Sequence, residues 1–160
     1  MSKEEASSAG GRHRGREVAL QVLYAIDLAV RDPDVDAAEE PSDDPTDDPN
    51  RQIFDRISEN FVVPPPVVSF ARELVAGVVA GIDELDGILG VHARNWRVSR
   101  MAAVDRNVLR LAVYELRDTD TPIAVVIDEA VDLARRFGSE ASPSFVNGVL
   151  DAVAREVRAA

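Results

Sequence analysis

The chain has 160 residues, 46% of them apolar, a formal net charge of −11 and no cysteine. The apolar share excludes wholesale disorder, and the lack of cysteine excludes disulfides, thiolate zinc sites and cysteine nucleophiles. Ten acidic residues and one arginine lie between Asp27 and Asn50, a net charge of −9 that leaves −2 for the remainder. No apolar run indicates a signal peptide or reaches the roughly 18 residues of a membrane span, so we expect a soluble, cytoplasmic protein without membrane association.

The first helix is predicted from Arg12, after a small and polar stretch at 1–11 that we expect to be a flexible tail. Apolar residues then recur at the helical period, at Val18, Val22, Ile26 and Ala29. The stretch 32–49 that follows is rich in Pro, Asp, Glu and Ser, and such a composition cannot bury enough apolar surface to order itself. We therefore expect a disordered acidic insert at 32–49 within a single helical domain over 12–160.

Five further helical stretches follow the insert. Their apolar positions lie within 53–61, 67–92, 104–116, 123–137 and 146–157. Gly77 and Gly81 lie one turn apart in the second stretch, and we expect them to mark close helix packing rather than a break. Thr121-Pro122 and Ser142-Pro143 each pair a hydroxyl N-cap with proline at the first helical position. With no alternating strand pattern, the predicted fold is all-α, a compact bundle of about six or seven helices.

Catalytic signatures are absent from the sequence. The chain has two histidines, His13 and His92, and no nucleophile elbow, P-loop or zinc-protease motif. The acidic insert lacks the ligand spacing of a calcium-binding loop. We therefore expect no enzymatic activity, no cofactor and no metal site.

Basic residues open the first helix, at Arg12, His13, Arg14 and Arg16. Because the net charge of the chain is negative, the chain as a whole does not attract polyanions. A basic cluster on such a chain therefore indicates a local site for phosphates. Solvated surface charge is the alternative. The positive macrodipole at a helix start disfavours cations there and favours the anion site. Gln21 and Tyr24 continue the same face, with an amide and an aromatic ring that can read or stack unpaired bases.

Two further candidates lie later in the chain. Arg106, Arg110 and Arg117 form a second basic strip, although Arg110 could equally pair with an internal carboxylate. Phe145 follows the Ser142-Pro143 helix start and fits either core packing or a partly exposed ring on which a base stacks. The sequence leaves these alternatives open.

Four ordered segments resemble the NusB family of bacterial transcription antitermination factors. They are 13–24 (HRGREVALQVLY), 104–116 (VDRNVLRLAVYEL), 122–137 (PIAVVIDEAVDLARRF) and 145–151 (FVNGVLD). The resemblance covers about 12–31 and 67–158. It implies an all-α RNA-binding factor that pairs with NusE, a small-subunit ribosomal protein, and holds the single-stranded boxA element of nascent RNA. It also implies assembly with RNA polymerase in an antitermination complex that suppresses termination, notably in ribosomal RNA operons.

Site residues follow from the resemblance by position. Arg12, Arg14, Arg16 and Gln21 match the RNA-facing first helix of the family, and we add His13 from the same cluster. Phe145 matches a ring that contacts RNA. Tyr24 and Asp105 match positions at or near the NusE and RNA surface.

The chain also departs from the family pattern. The acidic insert is not part of the family core, and Ala141 and Ser144 stand where relatives often carry an acidic and a basic side chain. With few basic residues, RNA binding by this chain alone is expected to be weak and salt-sensitive. One alternative is a relative of the N-terminal module of ribosomal RNA cytosine-5 methyltransferases, whose cysteine chemistry this chain lacks. The other is a protein-only helical adaptor or homodimer with solvated basic residues.

Overall fold

Helices make up the regular structure of the residues that the computed structural model describes, 3–31, 48–93 and 97–158, with side chains described from Gly10 onward. In chain order they are α1 Lys3–Arg31, α2 Pro49–Ser58, α3 Pro65–Ala80, α4 Ile82–His92, α5 Ala103–Asp118, α6 Ile123–Phe137 and α7 Ser142–Val157. A short 3-10 turn at Val98–Arg100 precedes α5. The all-α prediction is confirmed.

The chain divides into two compact units between Glu73 and Leu74, inside α3. The first unit holds α1, α2 and the beginning of α3, and the second holds the rest of α3 and α4 to α7. The single domain expected over 12–160 stays a prediction. The disordered insert does too, because residues 32–47 lie outside the described part of the chain.

The first unit is built on α1, whose apolar stripe at Val18, Val22 and Ile26 is buried. The sequence predicts this helix from Arg12, whereas α1 begins at Lys3. α2 packs against α1 and begins inside the stretch expected to be the insert. Asp48 caps α2 by accepting a hydrogen bond from the Asn50 N–H at 3.0 Å, and Pro49 is the first residue of the helix.

The second unit is organised around α5. Ten of its 16 residues are buried, and α5 packs against α4, α6 and α7. α6 and α7 also pack against each other. Their buried apolar residues recur at helical spacing, at Val126, Ala130, Leu133 and Ala134 in α6 and at Val146, Val149, Leu150 and Val153 in α7.

The helical run expected over 67–92 is interrupted at Gly81, which separates α3 from α4. Gly81 has a ψ of 17°, outside helical geometry. Asp83 and Glu84 lie in the first turn of α4. Because carboxylates interact favourably with the positive end of the helix macrodipole, these two residues favour the start of a new helix here. Gly77 does mark close packing, because a Cβ at this position would collide with the ring of Tyr114 in α5.

The two proline-marked helix starts are present with small shifts. α6 begins at Ile123 with Pro122 as its N-cap, so no hydroxyl caps this helix. α7 begins at Ser142 itself. The Ser142 hydroxyl accepts a hydrogen bond from the Ser139 N–H at 2.9 Å and so holds the turn that leads into α7.

Candidate nucleic-acid interface

The basic cluster lies within α1, well past the first turn of this helix. Arg12 and Arg14 are exposed and His13 is half-buried, whereas Arg16 is only 3% exposed. The helix macrodipole acts within the first turn, so the dipole argument for a bound anion does not hold at this position. Arg12 and Arg14 are therefore the exposed members of the cluster.

A buried carboxylate organises part of the cluster. Glu17 Oε1 lies 3.1 Å from His13 Nε2, and Glu17 Oε2 lies 3.6 Å from Arg14 Nη1. The separations of four and three residues place these side chains as neighbours on one side of a helix. Sequence reasoning missed Glu17 as a partner, although this spacing is a usable signal.

Two phenylalanines contact the arginines of the cluster, and both were missed at the level of sequence. Phe70 of α3 lies under Arg12 and Arg16, whose Cζ atoms are 5.6 and 5.5 Å from the centroid of its ring. Phe61, which follows α2, makes a similar contact with Arg14, whose Cζ atom lies 5.9 Å from the centroid of the Phe61 ring. These distances are within the range of cation–π contacts. Because the rings come from other elements, helical periodicity carries no signal for them.

The polar face of α1 continues beyond the cluster. Gln21 is half-buried, and Tyr24 is 37% exposed. Both stand at helical spacing from Arg14, so they follow it along one side of the helix. The first unit therefore presents two exposed cations, an amide and an aromatic ring along α1.

Asp105 and Phe145 belong to the second unit. Asp105 lies in the first turn of α5 and is half-buried. Its Oδ1 atom is buried and has no hydrogen-bond partner among the described residues, which is rare for a buried polar atom. Phe145 lies in the first turn of α7, and its ring is half-buried, so neither of the two expectations for it is excluded.

The second basic strip is occupied by internal partners. Arg106 and Arg110 are buried, and Arg117 is half-buried. Their partners are the Val98 and Met101 carbonyls for Arg106, Asp86 for Arg110, and Glu84 with Asp118 for Arg117. The hydrogen bond to Asp118 is also the main reason that the pKa of Arg117 is raised. The expectation of a second basic surface is therefore wrong, and the alternative, pairing of Arg110 with an internal carboxylate, is confirmed.

The described residues contain neither a candidate metal site nor a membrane-spanning helix. No group of three His, Asp or Glu side chains in them is arranged to hold a metal ion. None of the helices described is both long and apolar enough to cross a membrane.

Comparison with known proteins finds relatives over most of the chain. The NusB family model matches residues 13–155. The chain is 42% identical to transcription antitermination protein NusB of Myxococcus xanthus, over 91% of this chain and 95% of that protein. It is 44% identical to the protein of the same name from Solibacter usitatus, over 91% of this chain and 90% of the relative.

Solved structures agree with the sequence relatives. NusB of T. maritima aligns with a TM-score of 0.74 and 34% identity over 91% of each chain. A chain in the crystal structure of antitermination factors NusB and NusE in complex with dsRNA aligns with a TM-score of 0.72 and 29% identity, over 91% of this chain and 97% of that one. Since the family model spans nearly the whole chain and these relatives share more than 40% of their residues with it, the chain belongs to the NusB family.

Proposed function

We propose that this chain is a transcription antitermination factor, without enzymatic activity, that binds RNA together with NusE. Relatives that cover 91% of the chain are named transcription antitermination proteins, and a structural relative was crystallised with NusE and dsRNA. One observation on this chain carries the proposal. Exposed Arg12 and Arg14 share α1 with the exposed ring of Tyr24, so cationic and stacking groups lie along one helix.

Arg12 and Arg14 supply the phosphate contacts. A guanidinium group is planar, always charged and able to bind phosphate through two parallel hydrogen bonds. Two exposed cations give only a small electrostatic gain, so this chain alone binds RNA weakly and NusE is needed for a stable complex. We expect the Gln21 amide and the Tyr24 ring to contact unpaired bases.

His13, Arg16 and Phe145 are less accessible than these groups. His13 is paired with Glu17, Arg16 is buried, and the ring of Phe145 is half-buried. Direct RNA contacts by these three side chains stay predictions from sequence. Arg16 is better placed to act through Phe70 than to meet a phosphate itself.

Tyr24 and Asp105 are the proposed contacts for NusE. Leu28 is exposed one turn after Tyr24, so the two form a short apolar strip on α1. Asp105 offers a buried carboxylate oxygen without a hydrogen-bond donor among the described residues. Leaving such an atom unpaired costs free energy, and a donor from a partner protein would remove this cost.

The RNA target that we propose is a single-stranded boxA element in a nascent transcript, bound in the cytoplasm while the chain is attached to the RNA polymerase complex. Unpaired bases can stack on a tyrosine ring, whereas bases in a duplex cannot do so without leaving the helix. The related complex contains dsRNA. Duplex RNA is therefore the necessary comparison in any binding experiment.

Fluorescence anisotropy tests the proposal directly. Labelled single-stranded boxA-type RNA, a scrambled single strand and a duplex are titrated with the chain at low salt, with and without NusE. We expect the tightest binding for the boxA-type strand, and a sharp gain when NusE is added. Absence of binding to all three RNAs, with NusE present, would reject RNA binding and favour the protein-only adaptor. Sedimentation of the chain alone then shows whether this adaptor is a homodimer.

A further inference from the structure

We propose that Phe70 is a positioning residue of the RNA-binding surface, which orients the guanidinium group of Arg12 by holding it over its ring. This inference rests on the proposed function, because it assigns a cause to the arrangement of an RNA-binding arginine. Neither the family assignment nor the sequence motifs point to Phe70, which lies in α3 outside the basic cluster.

The geometry joins three residues of α1 to one ring. Arg12 and Arg16 are four residues apart and lie on the same side of the helix, and their Cζ atoms are 5.6 and 5.5 Å from the Phe70 centroid. Gly15 lies against the same ring, since a Cβ there would stand 2.6 Å from Phe70 Cδ1. The absence of a side chain at Gly15 therefore creates the space that the ring occupies.

The two arginines differ in burial, and this difference indicates which of them the ring positions for RNA. Arg16 is buried, whereas Arg12 is exposed. Arg16 and Gly15 lie against the ring and restrict its position, and the ring in turn limits the positions that Arg12 can adopt in solvent. A long side chain that is already restricted loses less conformational entropy when it binds a phosphate. Phe70 therefore strengthens RNA binding without touching RNA.

The arrangement also accounts for two like charges placed one turn apart. Such pairs repel each other on a helix, and the negative face of an aromatic ring offsets part of this repulsion. A phosphate bound beside Arg12 would offset more of it. Phe61 provides a similar contact for Arg14, with Cζ 5.9 Å from its centroid, but without a second arginine on the same ring.

A double-mutant cycle separates positioning from a general effect on folding. Phe70→Leu removes the aromatic face and keeps an apolar side chain, and Phe70→Tyr restores the ring. With NusE present, we expect Phe70→Leu to weaken binding of the boxA-type single strand about two- to five-fold, the size of one exposed cation–π contact, and Phe70→Tyr to recover most of it. In an Arg12→Gln background, Phe70→Leu should change affinity less than about two-fold.

Two further measurements keep the inference testable if Phe70→Leu folds poorly. Gly15→Ala removes no charge and raises helix propensity, yet its Cβ displaces the ring, so it should weaken RNA binding while the chain stays folded. By NMR, the Arg12 Nε–H resonance should be shifted by the ring in the wild-type chain and in Phe70→Tyr, and lose this shift in Phe70→Leu. Arg155→Gln, which removes an exposed charge on α7, is the control for net charge and should bind RNA normally.

The outcomes distinguish the inference from the proposed function. A wild-type chain that binds no RNA with NusE overturns both. A wild-type chain that binds RNA, combined with a Phe70→Leu effect that is undiminished in the Arg12→Gln background, overturns only the positioning of Arg12 by Phe70. Absence of a ring-dependent shift at Arg12 Nε–H overturns it as well, independently of RNA.

Discussion

Arg110 and Asp86 form a two-pronged ion pair between α5 and α4, with Nε–Oδ1 and Nη2–Oδ2 distances of 2.7 and 2.8 Å. The side chain of Arg110 is 7% exposed and that of Asp86 is 29% exposed. Paired charge-assisted hydrogen bonds of this kind are stronger than single neutral ones. The pair attaches the helix that follows the break at Gly81 to the central helix of the second unit.

Asp86→Ala is predicted to destabilise the chain. The substitution leaves the buried guanidinium of Arg110 without its carboxylate, and an uncompensated buried charge is costly. Because Asp86 is partly exposed, we expect a loss of about 2–3 kcal/mol in the free energy of unfolding, below the value for a fully buried pair. Urea unfolding followed by circular dichroism measures this loss.

The matched control is Asp151→Ala, which removes an ion pair with Arg155 at 3.0 Å on the surface of α7. The side chains of Arg155 and Asp151 are 79% and 56% exposed. Exposed pairs contribute little because water and salt screen them, so we expect a change below about 0.5 kcal/mol. Equal losses in the two variants would contradict the argument that burial strengthens the Arg110–Asp86 pair.

Arg106→Met is predicted to loosen the 3-10 turn before α5. The Arg106 guanidinium is buried and donates to the Met101 and Val98 carbonyls at 2.9 and 3.2 Å. Methionine retains an apolar stem but leaves both carbonyls without this donor, at a cost of about 2–3 kcal/mol in the free energy of unfolding. Hydrogen exchange should accelerate around Val98–Arg100 more than in α6. Uniform exchange rates across the variant would argue against a local clamp.

The part of the fold that sequence predicts is the part determined by local signals. α5, α6 and α7 follow from apolar periodicity and from the prolines near the starts of α6 and α7. The early start of α1 was missed because Ser7, Ser8, Gly10 and Gly11 have low helix propensity. The break at Gly81 was missed because glycine inside a helical pattern is compatible with either packing or a break.

The candidate site was predictable only for residues that share one helix. Arg12, Arg14, Gln21 and Tyr24 lie along α1 at spacings that the sequence shows. The contact of Phe70 with Arg16 joins a residue of α3 to a residue of α1 within the first unit. Such contacts between elements leave no periodic trace in a single sequence. In the sequence, the arginines of α5 and of α1 both form spaced basic residues on a helix. Only the structure shows that Arg106 and Arg110 are buried against internal partners, whereas Arg12 and Arg14 are exposed.

Asp105→Ala is predicted to weaken NusE binding with little effect on folding. In the free chain its buried Oδ1 has no partner among the described residues, so removing it gives up no hydrogen bond there. The carboxylate still favours the first turn of α5 through the macrodipole, which limits the destabilisation to about 1 kcal/mol or less. A charge-assisted hydrogen bond to NusE is worth more, so affinity should fall about ten-fold or more.

Isothermal titration calorimetry with NusE, combined with thermal unfolding of the free chain, checks this prediction. Gln52 is a half-buried polar residue of the first unit to which we assign no contact with NusE, so Gln52→Ala provides a comparison. If Asp105→Ala binds NusE as tightly as the wild-type chain does, Asp105 is not a partner contact.

Arg14→Ala and Arg16→Ala are predicted to have different consequences, although the two residues belong to one basic cluster in the sequence. Arg14 is exposed, so its removal should weaken RNA binding and reduce the slope of log K against log salt by about 0.7, the value for one phosphate contact on a single strand. Arg16 is buried over Phe70, so its removal should lower the free energy of unfolding by about 1–2 kcal/mol and leave this slope unchanged. Anisotropy at a series of KCl concentrations and thermal unfolding give the two quantities. If Arg16→Ala lowers the salt slope and melts normally, Arg16 faces RNA as the sequence predicts, and its burial in the free chain is relieved on binding.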